Sequence, residues 1–401
     1  MENTPWRIIF IATGASLALL FLVYIIVLPK TPQKEEAVSK IATFKKTHVA
    51  GHDKGKKQWE FYAESGWMDK DKQTTYLENV TKGTLYHDGE LITKDLAAPR
   101  VKAYPASKVV EAYAGGGRQL QAYMAFAPKN NSKKERFAFV TADSLIYNPD
   151  AKNTTIKGRI RIKEKEVTLR ANQMVIDNDK EVSDLSDKVY VNRRDIALSC
   201  LSLHYDSKEG QIDASGDIIS RIKSKQRTML NAEHLKFFVD DKKDVEGNGS
   251  IEVIQGKKTA VADSLKYNKA SEKIILSSNV KAVILKGRAL LKEDTIKKLH
   301  APDATNLLED KTFIRSDKLE FSTKNGDARA EGNVVVSQSS REAKANFADY
   351  SDQKEMIVLS DNVYLKKDKA WISCKKVEVS VRNETFTAYG SIEAEFIIRK
   401  R

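Results

Sequence analysis

The sequence predicts an all-β protein, an open β-solenoid of two-strand units of about 29 residues, with one N-terminal transmembrane helix. Three observations predict it. Apolar and polar residues alternate at period two in short segments along the chain, which is the pattern of half-buried strands. Equivalent segments recur at nearly constant spacing. Residues 8–28 form an uncharged apolar run that is long enough to cross a bilayer as a helix.

The repeated unit is clearest at residues 142–147 (ADSLIY) and 158–162 (GRIRI), where apolar side chains alternate along two strands. A two-strand unit buries its apolar side only against its neighbours, so fixed self-similarity at this period indicates a stack of repeats. We expect each unit to lay one strand in each of two facing sheets. The small residues that open the units are Ala142, Ala171, Cys200, Ala232, Ala262, Ser316, Ala345 and Cys374.

Two further positions recur within the unit. Asp143 and Asp263 follow the opening alanine at matching places, which indicates turn or corner hydrogen bonds rather than catalysis. A small residue also stands at the second strand, about 15 residues after the opening one. These residues are Gly158, Ser186, Gly216, Gly247, Ser277, Gly332, Ser360 and Gly390.

The charge balance limits the choice of partners. With 68 Lys and Arg against 55 Asp and Glu, the formal net charge is +13. Such a positive field suits anionic lipid head groups, nucleic acid or an acidic partner. The basic residues are scattered through the strands, without a dense block or a nucleic-acid motif. We therefore expect no nucleic-acid partner.

The sequence carries no motif of a catalytic site. The six histidines are spread over the chain, and His48 and His52 lie four apart on a strand or loop, where that spacing has no helical meaning. There is no nucleophile elbow, phosphate loop or dinucleotide fingerprint. We predict that the protein is not an enzyme and has no catalytic residues, metal site or cofactor.

Residues 1–30 are predicted to be a membrane anchor and residues 31–40 a polar tether. The apolar run ends without a small-residue cleavage site, which favours an uncleaved anchor over a signal peptide. Arg7 precedes the run and Lys30 and Lys34 follow it, so charge alone does not orient it. We assume a short cytoplasmic start and a translocated body. The residues that we assign to the bilayer are Ile8, Phe10, Leu20, Phe21 and Leu28.

The rest of the chain divides into four predicted parts. Residues 41–130 form a β module with a divergent copy of the unit, and residues 137–287 carry uninterrupted repeats. The rhythm is lost over residues 288–311, an insertion or seam, and returns over residues 312–401. A short amphipathic helix is expected in the insertion from Leu290, Leu291, Ile296 and Leu299, ended by Pro302.

This arrangement resembles one family. The matching motifs are residues 142–147 (ADSLIY), 262–267 (ADSLKY), 316–321 (SDKLEF) and 328–334 (ARAEGNV). Together with the anchor and tether, they are similar to the periplasmic lipopolysaccharide-transport proteins of the LptC and LptA (OstA-like) group. The anchor and first β module resemble LptC, and the later repeats resemble OstA-type repeats. The chain departs from the LptC pattern in length, because a long second part follows the first module.

The resemblance implies a β-jellyroll anchored in the inner membrane, with its body in the periplasm. Its open interior would carry the acyl chains of lipopolysaccharide, or of a similar anionic lipid, from an inner-membrane ABC transporter complex towards the outer membrane. Other jellyroll bridge proteins would pair with its sheet edges.

The interior residues of the units are the candidate lipid contacts, with rim lysines and arginines near the head-group phosphates. Their shared phase places them on one side of the strands. The same residues fit a filled core, so an anchored structural β-solenoid that docks envelope proteins without lipid cargo is the alternative. The predicted contacts are Leu145, Tyr147, Leu203, Tyr205, Leu235, Phe237, Leu265, Tyr267, Leu319 and Phe321.

Overall fold

The computed structural model describes residues 40–125, 137–164, 166–223, 227–239, 243–285, 311–381, 383 and 385–396. The described residues form strands and turns, so the all-β prediction is confirmed for them. None of them belongs to a helix long and apolar enough to span a membrane. The predicted anchor, most of the tether and the predicted helix of the insertion lie outside the described residues.

The described residues form a single sheet of 24 strands. The first part contains β1 (Lys40–Asp53), β2 (Lys56–Asp69), β3 (Thr75–His87), β4 (Glu90–Ala103), β5 (Val110–Tyr113), β6 (Leu120–Ala125), β7 (Phe137–Ala142) and β8 (Ser144–Asn148). The middle part contains β9 (Asn153–Glu164), β10 (Val167–Asp177), β11 (Val182–Asn192), β12 (Ile196–Asp206), β13 (Gln211–Ile222), β14 (Thr228–Phe238), β15 (Val245–Gln255), β16 (Lys258–Asn268) and β17 (Lys273–Ile284). The last part contains β18 (Thr312–Ser322), β19 (Ala328–Gln338), β20 (Arg341–Ser351), β21 (Met356–Lys367), β22 (Ala370–Ser380), β23 (Thr385–Tyr389) and β24 (Glu393–Glu395).

Nearly every strand pairs antiparallel with the next one in sequence. Two short strands take the place of one long strand at two points: β5 and β6 run along β4, and β7 and β8 run along β9. The sheet is therefore continuous from the first β module into the repeats. It also continues across the insertion, because β17 pairs directly with β18.

The long strands bend where their pairing shifts register. In β10 the shift falls between Arg170 and Gln173, opposite Asp187 and Lys188, whose left-handed φ angles are 61° and 57°. Ala171 and Met174 are both buried although they lie three residues apart, which the period of an unbroken strand does not allow. The bulge therefore turns the strand through a corner and keeps its apolar residues on one side.

The corners divide the sheet into two halves that face each other. Wall A contains residues 167–170 and 189–192, wall B contains residues 173–177 and 182–186, and the other strands contribute equivalent residues. Buried side chains of both walls belong to one apolar cluster. The prediction of two separate facing sheets is wrong, because each long strand crosses from one wall to the other.

The corners recur with the period of the sequence repeat. They coincide with the predicted small residues of the second strand or lie within two residues of them. Most of the left-handed residues are Gly, Asn or Asp, which adopt this backbone conformation most readily. The left-handed pairs are Gly158 and Arg159, Asp187 and Lys188, Gly216 and Asp217, Gly249 and Ser250, Ser278 and Asn279, Gly332 and Asn333, and Asp361 and Asn362.

The aspartates predicted at the corners accept hydrogen bonds there, as their recurrence in the sequence predicts. Gly158 has a φ of +76°, and a Cβ on it would lie 2.5 Å from Asp143 Oδ2. Arg159 Nη2 lies 2.7 Å from Asp143 Oδ1, and this contact lowers the pKa of Asp143. In an equivalent corner Asn279 donates to Asp263 at 2.5 Å. These aspartates fix the bend of the strand.

Candidate functional site

The space between the two walls is the candidate site, and the ten predicted lipid contacts all lie on its side of the sheet. Those that are buried are Leu145, Tyr147, Leu203, Leu235, Phe237, Leu265 and Leu319. Those that are half-buried and packed against the core are Tyr205, Tyr267 and Phe321. Their inward orientation is clear, and their contact with lipid remains a prediction.

From β8 to β14, and along wall B of β15 to β17, the space between the walls is filled by side chains. Leu145 and Tyr147 have 0% of their surface exposed, and Leu235 has 1%. Leu276, in the part of β17 that belongs to wall B, also has 0% of its surface exposed. This part of the interior is a packed core in the described structure, as the alternative prediction requires.

From β15 to β23 the walls line a partly open cavity of about 650 Å³, which we call the chamber. Its volume is within the range of about 300–1,000 Å³ that is common for ligand sites. Its lining is mainly apolar and includes Ile284, Ile314, Phe321, Ala343, Ala348, Ile357 and Leu365. Phe321, a predicted contact, therefore lines an open space, as does Leu319.

Small side chains explain why the interior opens here. Ala348 of β20 lines the chamber at the position three residues after the opening small residue of its unit. Replacing a large aliphatic side chain by alanine leaves a void unless the surroundings collapse. The alanine at this position was a visible signal in the sequence. The other units carry Leu145, Met174, Leu203, Leu235, Leu265, Leu319 and Val377 there.

Polar contacts join the free ends of the two walls, opposite the corners. At the N-terminal end, Lys108 Nζ lies 2.8 Å from an oxygen of Asp53. Further along, Arg193 Nη1 donates to the carbonyl oxygen of Phe238 at 3.0 Å, and Lys269 Nζ lies 3.7 Å from Asp195. We call these the rim contacts. Each joins a turn of wall A to wall B, so they hold the mouth of the trough together.

A further rim contact centres on His87, at the wall A end of β3. Its Nε2 lies 2.8 Å from Asp179 Oδ1 and its Nδ1 lies 3.2 Å from the Tyr147 hydroxyl. Tyr147 donates to the carbonyl oxygen of Tyr86 at 2.8 Å, and Lys152 pairs with Asp179. The hydrogen bond from His87, followed by that from Lys152, lowers the pKa of Asp179 to about 2.

Asp88 lies beside this contact. His87, Asp88 and Asp179 each offer one atom that could ligate a metal ion, and these three atoms lie within 4.8 Å of one another. No local sequence pattern indicates this grouping, because His87 and Asp179 are 92 residues apart. His87 and Lys152 already engage both carboxylate oxygens of Asp179. We therefore interpret the group as a structural contact between the walls.

The pKa of Asp179 makes this rim contact sensitive to acid. A folded-state pKa of about 2, against an ordinary value of 3.8, means that ionised Asp179 stabilises the fold above about pH 4. That stability is lost as the pH falls towards about 2. We expect Asp179→Asn to lower the midpoint of urea unfolding at neutral pH, and its difference from wild type to shrink over this window.

Urea titrations at several pH values check this, with Asp150→Asn as a control that removes an exposed carboxylate from a neighbouring turn of the same wall. A difference between wild type and Asp179→Asn that stays constant down to pH 2 would contradict the role of this carboxylate.

The fold and the chamber together define an open-sided antiparallel β-trough with a ligand-sized apolar space at one end. Residues 139–297 match the family model described as LptA/(LptD N-terminal domain) LPS transport protein. The match covers less than half of the 401 residues. It includes the packed part of the trough and ends before the strands that close the chamber.

One similar solved structure is LptH, the LptA homologous periplasmic component of the conserved lipopolysaccharide transport device from Pseudomonas aeruginosa. It is 16% identical over 28% of this chain and 82% of that chain, with a TM-score of 0.26. No curated protein matches the chain.

Proposed function

We propose that this protein is a membrane-anchored periplasmic component of lipopolysaccharide export, without enzymatic activity, that holds acyl chains between its two walls. The chamber is the observation that carries the proposal. It is a ligand-sized apolar space, and water-excluding surfaces of this kind take apolar chains. The family match of residues 139–297 supports lipopolysaccharide as the cargo.

The anchor and the sheet edges complete the proposal. Residues 8–28 would hold the body at the inner membrane, close to an ABC transporter complex that supplies the lipid. In the described residues, β1 pairs only with β2, and β23 and β24 pair only with β22. Each end of the sheet therefore offers unpaired backbone groups to another jellyroll bridge protein.

The second candidate function is an anchored structural β-solenoid that docks envelope proteins. The packed interior from β8 to β14 favours it, because side chains there leave no room for cargo without a movement of the walls. The two functions make opposite predictions about the chamber. A lipid carrier captures acyl chains there, and a structural spacer does not.

A photo-crosslinking experiment in cells tests the proposed function. Benzoylphenylalanine in place of Phe321, which lines the chamber, is expected to capture lipopolysaccharide. The control is the same substitution at Phe313, which lies on the same strand and is 49% exposed on the outer face. No lipid adduct at Phe321 in a folded protein, or equal adducts at both positions, would overturn the carrier function and leave the structural one.

A further inference from the structure

Lys258 is a cation at the mouth of an otherwise apolar chamber. It is the first residue of β16, it lies at the free end of wall A, and its side chain is half-buried in the chamber lining. Its Nζ lies 5.0 Å from the ring centroid of Tyr350 on wall B. The hydroxyl of Tyr350 donates to Asp352 at 3.2 Å. The ammonium group thus spans the mouth from one wall to the other.

The environment of Lys258 differs from that of the other rim cations. Lys108 and Lys269 each face a carboxylate across the rim, whereas Lys258 faces the aromatic ring. A ring face attracts an ammonium group weakly and accepts no strong hydrogen bond from it. The three N–H donors of Lys258 therefore keep capacity for an anionic oxygen.

Burial lowers the pKa of Lys258, and the charge of Asp352 acts in the opposite direction. Removing an ammonium group from water disfavours its charged form, and an anion placed beside it restores that form. An incoming phosphate would thus gain a charge-assisted hydrogen bond in a site of reduced dielectric.

The other charged side chains of the chamber leave a cationic excess. Glu342 lies 2.9 Å from Lys344 and Asp349 lies 3.4 Å from Arg329, so ion pairs engage both acids. The cations that line the chamber are Lys258, Arg341, Lys366 and Lys367.

We propose that Lys258 makes the chamber selective for phosphorylated acyl lipids, with the acyl chain on the apolar floor and a phosphate oxygen at Nζ. This assignment rests on the proposed function, because it takes the chamber as a lipid site, and it adds the head-group chemistry that the site selects.

The test compares two lipids with the same acyl chains, phosphatidic acid and diacylglycerol, each at low mole fraction in neutral maltoside micelles. The full chain carries benzoylphenylalanine at Phe321, and the yield of each lipid adduct is measured. We expect about tenfold higher capture of phosphatidic acid than of diacylglycerol, because one charge-assisted hydrogen bond supplies a difference in affinity of about that size. Lys258→Met should reduce the ratio to within about twofold of unity, and Lys258→Arg should retain the preference.

Lys257→Met is the matched control, because Lys257 is exposed on the same turn and its loss should leave the ratio unchanged. If Lys258→Met fails to fold, Lys258→Gln replaces it. Equal capture of both lipids by the wild type, or an unchanged ratio in the Lys258 variants, would overturn this assignment alone. Capture of neither lipid would overturn the proposed function itself. The capture of phosphatidic acid is also measured with excess inorganic phosphate. If the phosphate abolishes the preference for phosphatidic acid, the site binds free phosphate, and selection of a lipid head group is overturned.

Discussion

Leu235→Asp is expected to unfold the body of the protein. Leu235 has 1% of its surface exposed, between the packed walls. Truncating such a leucine costs about 2–5 kcal/mol, and burying an unpaired carboxylate adds several more. Because whole domains are stable by only about 5–15 kcal/mol, we expect loss of the cooperative urea transition followed by tryptophan fluorescence.

The control is the same change at Ile357, which is half-buried and lines the chamber. Water and the rim cations can reach a carboxylate there, so Ile357→Asp should keep a cooperative transition and lose lipid capture. Equal destabilisation by the two substitutions would mean that the chamber is as tightly packed as the core between β8 and β14, contrary to the structure.

Ala343→Trp is expected to abolish lipid capture without unfolding the protein. Ala343 is half-buried on the chamber side of β20, and an indole there would occupy space that the structure leaves open. A large aromatic side chain buries about 150–250 Å² of surface, so it competes directly with an acyl chain. We expect the adduct at a benzoylphenylalanine in place of Phe321 to fall at least about tenfold, because lost contacts of about 1.4 kcal/mol already give that factor.

Asn346→Trp is the matched control for this prediction. Asn346 lies on the same strand and is exposed, so this substitution adds the same side chain outside the chamber and leaves the ion pair of Glu342 intact. Undiminished capture by Ala343→Trp would show that acyl chains do not occupy this space.

The period of the sequence was enough to predict the stack of two-strand units and the inward face of residues such as Leu145 and Leu265. It was not enough to predict a single folded sheet, because alternation at period two is the same in either arrangement. The informative detail was a spacing of three. Ala171 and Met174 both face inward across that odd interval, which requires a bulge between them.

The candidate site was harder to predict, because it depends on contacts between distant parts of the sequence. An apolar residue at an interior position shows the same sequence pattern whether it packs against a leucine or lines a chamber. The difference here comes from small residues such as Ala343 and Ala348 on neighbouring strands. Lys258 and Tyr350 meet across the mouth, and no local pattern joins them.

The continuous antiparallel sheet has a consequence for how the protein folds and opens. Most strands bond to the next strand in sequence, so each strand is joined to its partner by a short turn. Such a chain can fold by adding one strand at a time to a nucleus, with modest loop-closure entropy at each step. Its cooperativity is that of a one-dimensional array, in which the ends fray at lower free energy than the middle. The smaller apolar cluster around Val363 and Val377 lies near the C-terminal end, beside the chamber. The chamber can therefore open through local unfolding of the strands at this end of the array, while the packed middle stays folded.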